Sequence, residues 1–92
     1  MKHSKELDKL FHAILTLNTI DECYLLFEDM CTVKELQAMC QRLEVAAQLA
    51  GGNNYQTVSE DTGASSATIS RVNKCLLYGV GGYRMVLERM GE

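Results

Sequence analysis

The side chains with the most chemistry to offer fall in one segment, Tyr55 to Lys74, which reads Tyr-Gln-Thr-Val-Ser-Glu-Asp-Thr-Gly-Ala-Ser-Ser-Ala-Thr-Ile-Ser-Arg-Val-Asn-Lys. Its spacing fits a helix-turn-helix over residues 55–74. Gly63 sits where the chain must turn, Ser59 is small where two helices would cross, and Val58, Ala64, Ile69 and Val72 are apolar at the inward positions. This leaves Ser65, Ser66, Ala67, Ser70, Arg71 and Lys74 facing outward, with Thr68 beside them and Gln56 on the preceding helix. Small hydroxylated side chains allow close approach to a duplex groove, where Ser and Thr bond bases or phosphates and Arg and Lys meet phosphate or guanine. The same residues also describe a plain helical hairpin with Gly63 as a C-cap and a solvated Ser/Thr face. Thr62 is more polar than a packing position in such a turn usually wants.

Other reactive residues form no constellation. Cys23, Cys31, Cys40 and Cys75 contain no C-x-x-C pair, and only His3 and His12 could join them, so a metal site is not expected. The four cysteines read as free, buried thiols behaving as small hydrophobes rather than as disulfides. Cys75 has Lys74 beside it but no histidine base nearby, and His12 lies one position off an apolar stripe. No paired-carboxylate, phosphate-loop or nucleophile-elbow pattern occurs. The chain does not read as an enzyme, and no cofactor is implied.

The elements that position the segment follow from length and punctuation. Ninety-two residues without a proline make one small domain, 1–92, in which helices are broken only by glycines and caps. Leu7, Leu10, Phe11, Ile14 and Leu15 form the stripe of a first helix, capped by Ser4 and running to about Leu17. Thr19-Ile20-Asp21-Glu22 and Thr32-Val33-Lys34-Glu35 are capping boxes that start a second and a third helix. The second helix should bury Ile20, Cys23, Tyr24, Phe27 and Met30. The third should bury Leu36, Met39, Cys40, Leu43, Ala46, Ala47 and Ala50 before Gly51-Gly52 ends it. Asn54 caps a short fourth helix stopped by Gly63, and Ser65 or Ser66 caps a fifth through Leu77. A sixth, from Tyr83 to Met90, has Tyr83, Val86, Leu87 and Met90 on one face. The fold class is all-α, about six helices, with no strand.

Charge is distributed unevenly. Residues 1–61 carry five Lys/Arg against ten acids, a net −5, whereas residues 62–92 carry four against two, a net +2, with no acid between Thr62 and Leu87. That polarity disfavours strong non-specific attraction to nucleic acid and allows a localised contact surface. No signal peptide or membrane span is read, so a cytoplasmic location is expected. The apolar stripes exceed what a core of this size covers, which predicts a homodimer.

From Phe27 to about Leu77 the sequence resembles the Trp repressor superfamily, and within it the Trp-repressor-related YerC/YecD type of Gram-positive bacteria. The carrying phrases are Met30-Cys31-Thr32, Arg42 ten residues on, and Gly63-Ala64-Ser65-Ser66-Ala67-Thr68-Ile69-Ser70-Arg71. The resemblance implies an intertwined all-helical dimer presenting two helix-turn-helix units to successive major grooves of double-stranded DNA with a near-palindromic operator. It also places Thr32, Arg42 and Arg71 where the family holds its corepressor, Arg71 toward an amino-acid carboxylate and Arg42 along an indole. Two positions depart: Val72 replaces a glycine after that arginine, and Cys75 replaces a serine near the ligand's amino group. A valine there occupies space the indole needs, so these five positions read as a vestigial effector pocket and an L-tryptophan response is not expected. The expected function is a sequence-specific, DNA-binding transcriptional regulator, a repressor by resemblance. The competing reading is a helical protein-interaction module that no longer meets DNA, supported by the acidic first half.

Overall fold

The computed structural model describes residues 1–91 and consists there of six helices and no strand. They are α1 (Lys5–Leu15), α2 (Ile20–Met30), α3 (Val33–Ala50), α4 (Tyr55–Thr62), α5 (Ser66–Tyr78) and α6 (Gly82–Met90). Most of the expected caps are present as hydrogen bonds. The Ser4 hydroxyl accepts the Leu7 N–H at 3.1 Å, the Asn54 side chain accepts that of Thr57 at 2.9 Å, and the Ser65 hydroxyl accepts that of Thr68 at 3.2 Å. Thr32 and Glu35 close a reciprocal box, hydroxyl to Glu35 N–H at 3.1 Å and carboxylate to Thr32 N–H at 2.9 Å. The Thr32 backbone N–H most strongly, and then the Thr32 hydroxyl, hold the Glu35 carboxyl below the usual carboxylate range.

Details differ from expectation: α5 runs one residue past Leu77 to Tyr78, and α6 begins one residue before Tyr83, at Gly82. α1 stops at Leu15, because the Thr16 and Leu17 N–H groups bond back to Ala13 and Ile14 in the tighter three-residue pattern before Asn18. At α2 the Glu22 carboxylate accepts the N–H of Asn18, not of Thr19, so the box closes one residue further out.

The chain divides into two compact units, Met1–Leu36 and Gln37 onward. The second holds the whole core: Val45, Ala46, Val58, Ala64, Ile69, Val72, Leu76 and Leu87, with Ala47, Leu49 and Tyr83 packed against it. Val45, fully buried, was not on the expected inner side of α3. Of the expected stripe, Ala46 is buried and Leu36 and Ala47 half-buried, whereas Met39 and Leu43 are exposed. α6 is tied to the end of α5 by Arg84, whose Nε donates to the Leu76 carbonyl at 3.0 Å and satisfies an acceptor that the helix end leaves open.

The first unit has no buried side chain in α1 or α2. Ile20, Cys23, Tyr24 and Met30, expected on a buried face, are exposed and Phe27 is half-buried; on α3, Met39, Cys40, Leu43 and Ala50 are exposed as well. The cysteines are free, as expected, but Cys23, Cys40 and Cys75 are exposed and Cys31 half-buried, so their burial is overturned for a single chain. The common cause is that these residues ride on apolar stripes for which one short chain has no opposing surface. No described helix is long and apolar enough to cross a membrane.

Candidate nucleic-acid interface

α4 and α5 form the expected two-helix element, and Gly63 is its hinge point. It ends α4 in the left-handed conformation, φ 71°, where an L side chain would be strained. The inward set is buried: Val58 and Ile69 almost completely, Ala64 and Val72 to within 3%. Each anchors one point of the pair, which leaves α5 little freedom to roll about its axis.

The outward set is solvent-facing. Ser65, Ser66, Ala67, Ser70, Arg71 and Lys74 are exposed, as is Gln56 on α4, while Thr68 is half-buried. Their hydrogen bonds divide them further. The Ser65 hydroxyl caps α5 and also donates to Thr68 Oγ1 at 3.2 Å, so both hydroxyls serve the helix start. Gln56 Nε2 donates to Glu60 Oε1 at 3.2 Å, one turn along α4. Ser66, Ser70, Arg71 and Lys74 remain as groups directed to solvent along α5. Ala67 between them adds only a methyl, so nothing bulky blocks approach to this face.

The turn contains polar contacts that sequence reasoning missed. Thr62 donates its hydroxyl to the Val58 carbonyl and accepts the Ala64 N–H at 3.2 Å, and Ser59 donates to the Ala64 carbonyl at 3.0 Å. Gln41 Nε2, from α3, donates to the Thr62 carbonyl at 3.2 Å. The polarity of Thr62, anomalous for simple packing, was the one available signal.

The five positions of the expected effector outline have different surroundings. Val72 is a core side chain of the second unit, Arg42 and Arg71 are exposed, and Thr32, in the first unit, has its hydroxyl engaged in the α3 cap. Only Cys75 borders the open apolar groove of about 500 Å³ at the α5–α6 connection, with Leu43, Val80, Tyr83 and Val86. Among the described residues no group of three or more His, Cys, Asp or Glu side chains could hold a metal ion.

Comparison with known proteins agrees with this architecture. The chain is 53% identical over 88 residues to "Uncharacterized protein YerC" of Bacillus subtilis (strain 168), covering 96% of this chain and 85% of that one. Among solved structures, a Trp repressor candidate from Staphylococcus aureus superposes with a TM-score of 0.94 at 48% identity, over 97% of this chain and 89% of the other. A TrpR-like protein from Eubacterium eligens ATCC 27750 gives 0.93 at 49% identity, over 96% and 91%. The sequence profile described as Trp repressor protein matches residues 5–91, which take in all six helices and the helix-turn-helix between them. With its fold, its turn glycine and nearly its whole length accounted for in this way, the chain belongs to the Trp repressor family, whose members are regulatory DNA-binding proteins and not enzymes.

Proposed function

We propose that this protein is a homodimeric, sequence-selective DNA-binding regulator, acting as a repressor, with α5 as the reading helix. The observation that carries the reading is the outward face of α5: Ser66, Ala67, Ser70, Arg71 and Lys74 exposed together, backed by a buried inner face, in a stretch free of acidic residues from Thr62 to Leu87. Ser66 and Ser70 are suited to base or phosphate contacts, Arg71 and Lys74 to phosphate or guanine. Ser65, Thr68 and Gln56 act around this set, the first two by holding the start of α5.

A second copy is the partner that the first unit favours. Leu15 is 78% exposed and Ile20 76%, with Tyr24 and Leu25 also bare, and so many large apolar side chains on two short helices favour burial against another surface. Two copies would carry two α5 helices, matching an operator with two related half-sites. DNA binding is read as independent of tryptophan, since Val72 fills part of the core where the resemblance has a glycine. Titration calorimetry of the intact protein should give no saturable heat with L-tryptophan at millimolar concentration. Saturation at micromolar levels would overturn that part.

Selection of genomic fragments by the purified protein, followed by electrophoretic shift at low and moderate salt, tests the main reading. Recovery of a shared, near-palindromic sequence bound at submicromolar dimer is expected. Ala67→Glu should abolish the selective complex by setting a carboxylate against the groove. An acid in the first turn of a helix favours the helix, so the loss would not reflect unfolding. If no selective complex forms at micromolar dimer, the protein-interaction module becomes the better reading.

A further inference from the structure

The turn between α4 and α5 carries more hydrogen bonding than a helical hairpin requires. Ala64 is only 2% exposed, so neither its N–H nor its carbonyl has ready access to water. Both are satisfied by side-chain hydroxyls, the N–H by Thr62 and the carbonyl by Ser59. Thr62 is held in turn by two bonds of its own, hydroxyl to the Val58 carbonyl and carbonyl from Gln41 Nε2 on α3. Five residues, from α3, α4 and the turn, thus form one connected set of part-buried hydrogen bonds, ending on the residue immediately before Ser65, the N-cap of α5.

We propose that Gln41, Ser59 and Thr62 are positioning residues that fix the direction in which α5 leaves the turn, and through it the register of Ser66, Ser70, Arg71 and Lys74 on DNA. The proposal rests on the reading of α5 as the DNA-contacting helix. Its physical basis is leverage. Arg71 lies about 7.5 Å along the helix from Ser66, so a tilt of about 15° at the turn displaces it by about 2 Å, beyond what a base-edge hydrogen bond tolerates. The apolar contacts of Val58, Ile69 and Val72 keep α5 attached to the core but are non-directional. Hydrogen bonds to both polar groups of Ala64 supply the directional restraint. Gln41 extends that restraint to α3, so the turn is fixed to the scaffold as well as to itself. None of the three residues needs to touch DNA.

Thr62→Val keeps the side-chain shape and removes the hydroxyl, Thr62→Ser keeps the hydroxyl, and Gln41→Met removes the amide donor at similar length. Amide hydrogen exchange followed by NMR is the readout independent of DNA. Thr62→Val should speed exchange at Ala64 about tenfold relative to Ile69 and Leu76, with Thr62→Ser close to the parent. Unchanged exchange at Ala64 would refute the clamp. The second readout is the ratio of affinities for the duplex selected by the parent and for a scrambled duplex of equal length. Thr62→Val and Gln41→Met should each lower that ratio about tenfold with an unaltered salt slope, and Thr62→Ser should restore it. A ratio equal to the parent's in both variants would overturn the positioning role, since a purely structural contact would weaken both duplexes alike. Should Thr62→Val not fold, Gln41→Met, which leaves the turn's own residues in place, decides the affinity ratio, and Ser59→Ala, which frees the Ala64 carbonyl, takes its place in the exchange measurement. A parent that selects no duplex would defeat the functional reading and with it the positioning role, while Ala64 exchange would still decide whether the clamp exists.

Discussion

The two units of this chain contain helices of similar quality, but only the second contains a core. Met1–Leu36 has well-capped helices in which no side chain of α1 or α2 is buried, whereas the unit from Gln37 onward contains all eight core residues. Capping and periodicity form a helix; an opposing surface is needed to bury its apolar face. In the second unit that surface comes from the same chain, and it fixes the α4–α5 element. In the first unit the stripe of Leu7, Leu10, Ile14 and Leu17 is only half-buried, and Leu15, Ile20 and Tyr24 lie open. Under the proposed function, recognition of DNA would fall to the second unit and association to the first.

The largest effect should come from testing that assignment in the first unit. With a second copy covering α2, Phe27→Ala should cost about 3–5 kcal/mol, comparable with the stability of a small domain, so loss of dimer and loss of fold coincide. Sedimentation equilibrium of the parent should then give twice the 10.3 kDa chain mass, and its thermal midpoint should fall on dilution. A monomer with a dilution-independent midpoint, barely altered by Phe27→Ala, would break the comparison.

Ile69→Ala probes the other unit. Ile69 is 1% exposed in the only core of the described residues, so its truncation should cost about 2–5 kcal/mol by urea denaturation. This loss should persist at every protein concentration, in contrast to that of Phe27→Ala. Equal dilution dependence for both variants would mean that the second unit, too, is completed only by association.

A smaller effect separates the cations on α5 from the side chains that fix its register. Lys74→Ala should weaken binding to all duplexes alike and reduce the slope of log affinity against log salt by about one unit, leaving the selective ratio intact. A changed ratio with an unchanged slope would make Lys74 a base reader.

The sequence made the helices legible because their signals are local. Ser4, Thr32 with Glu35, Asn54, Ser65 and the left-handed Gly63 each act within four residues, and each is found where spacing places it. The inward positions Val58, Ala64, Ile69 and Val72 were legible for the same reason, since one short turn constrains which faces meet. Burial of Ile20, Tyr24 and Cys40 was not, because an apolar stripe says that something covers it without saying whether the same chain does. Val45 escaped because its burial depends on core residues of α4 and α5, distant in sequence. The Gln41–Thr62 bond, spanning 21 positions, has no sequence period at all.

The smallest predicted effect isolates what the first unit owns without any partner, its helix caps. Glu35 accepts the Thr32 N–H while its own N–H bonds the Thr32 hydroxyl, and its charge lies at the N-terminus of α3, where the helix dipole favours an anion. The Thr32 backbone donor, then its hydroxyl, lowers the carboxyl below its unfolded value. A depressed folded-state value means the ionised form is preferred in the native protein, so the stabilisation is complete above the unfolded value and is lost as pH falls through the folded one. Glu35→Gln retains the acceptor oxygen and removes the charge. The thermal midpoint of the parent should therefore exceed that of Glu35→Gln slightly at neutral pH, and the gap should close as pH falls through and below the ordinary carboxylate range. Thr32→Ala, which removes the hydroxyl half of the box, should shrink the gap while leaving it open, because the backbone donor remains. A gap independent of pH would show that the box works through its hydrogen bonds alone, and that the carboxylate charge adds nothing to a helix start exposed to water.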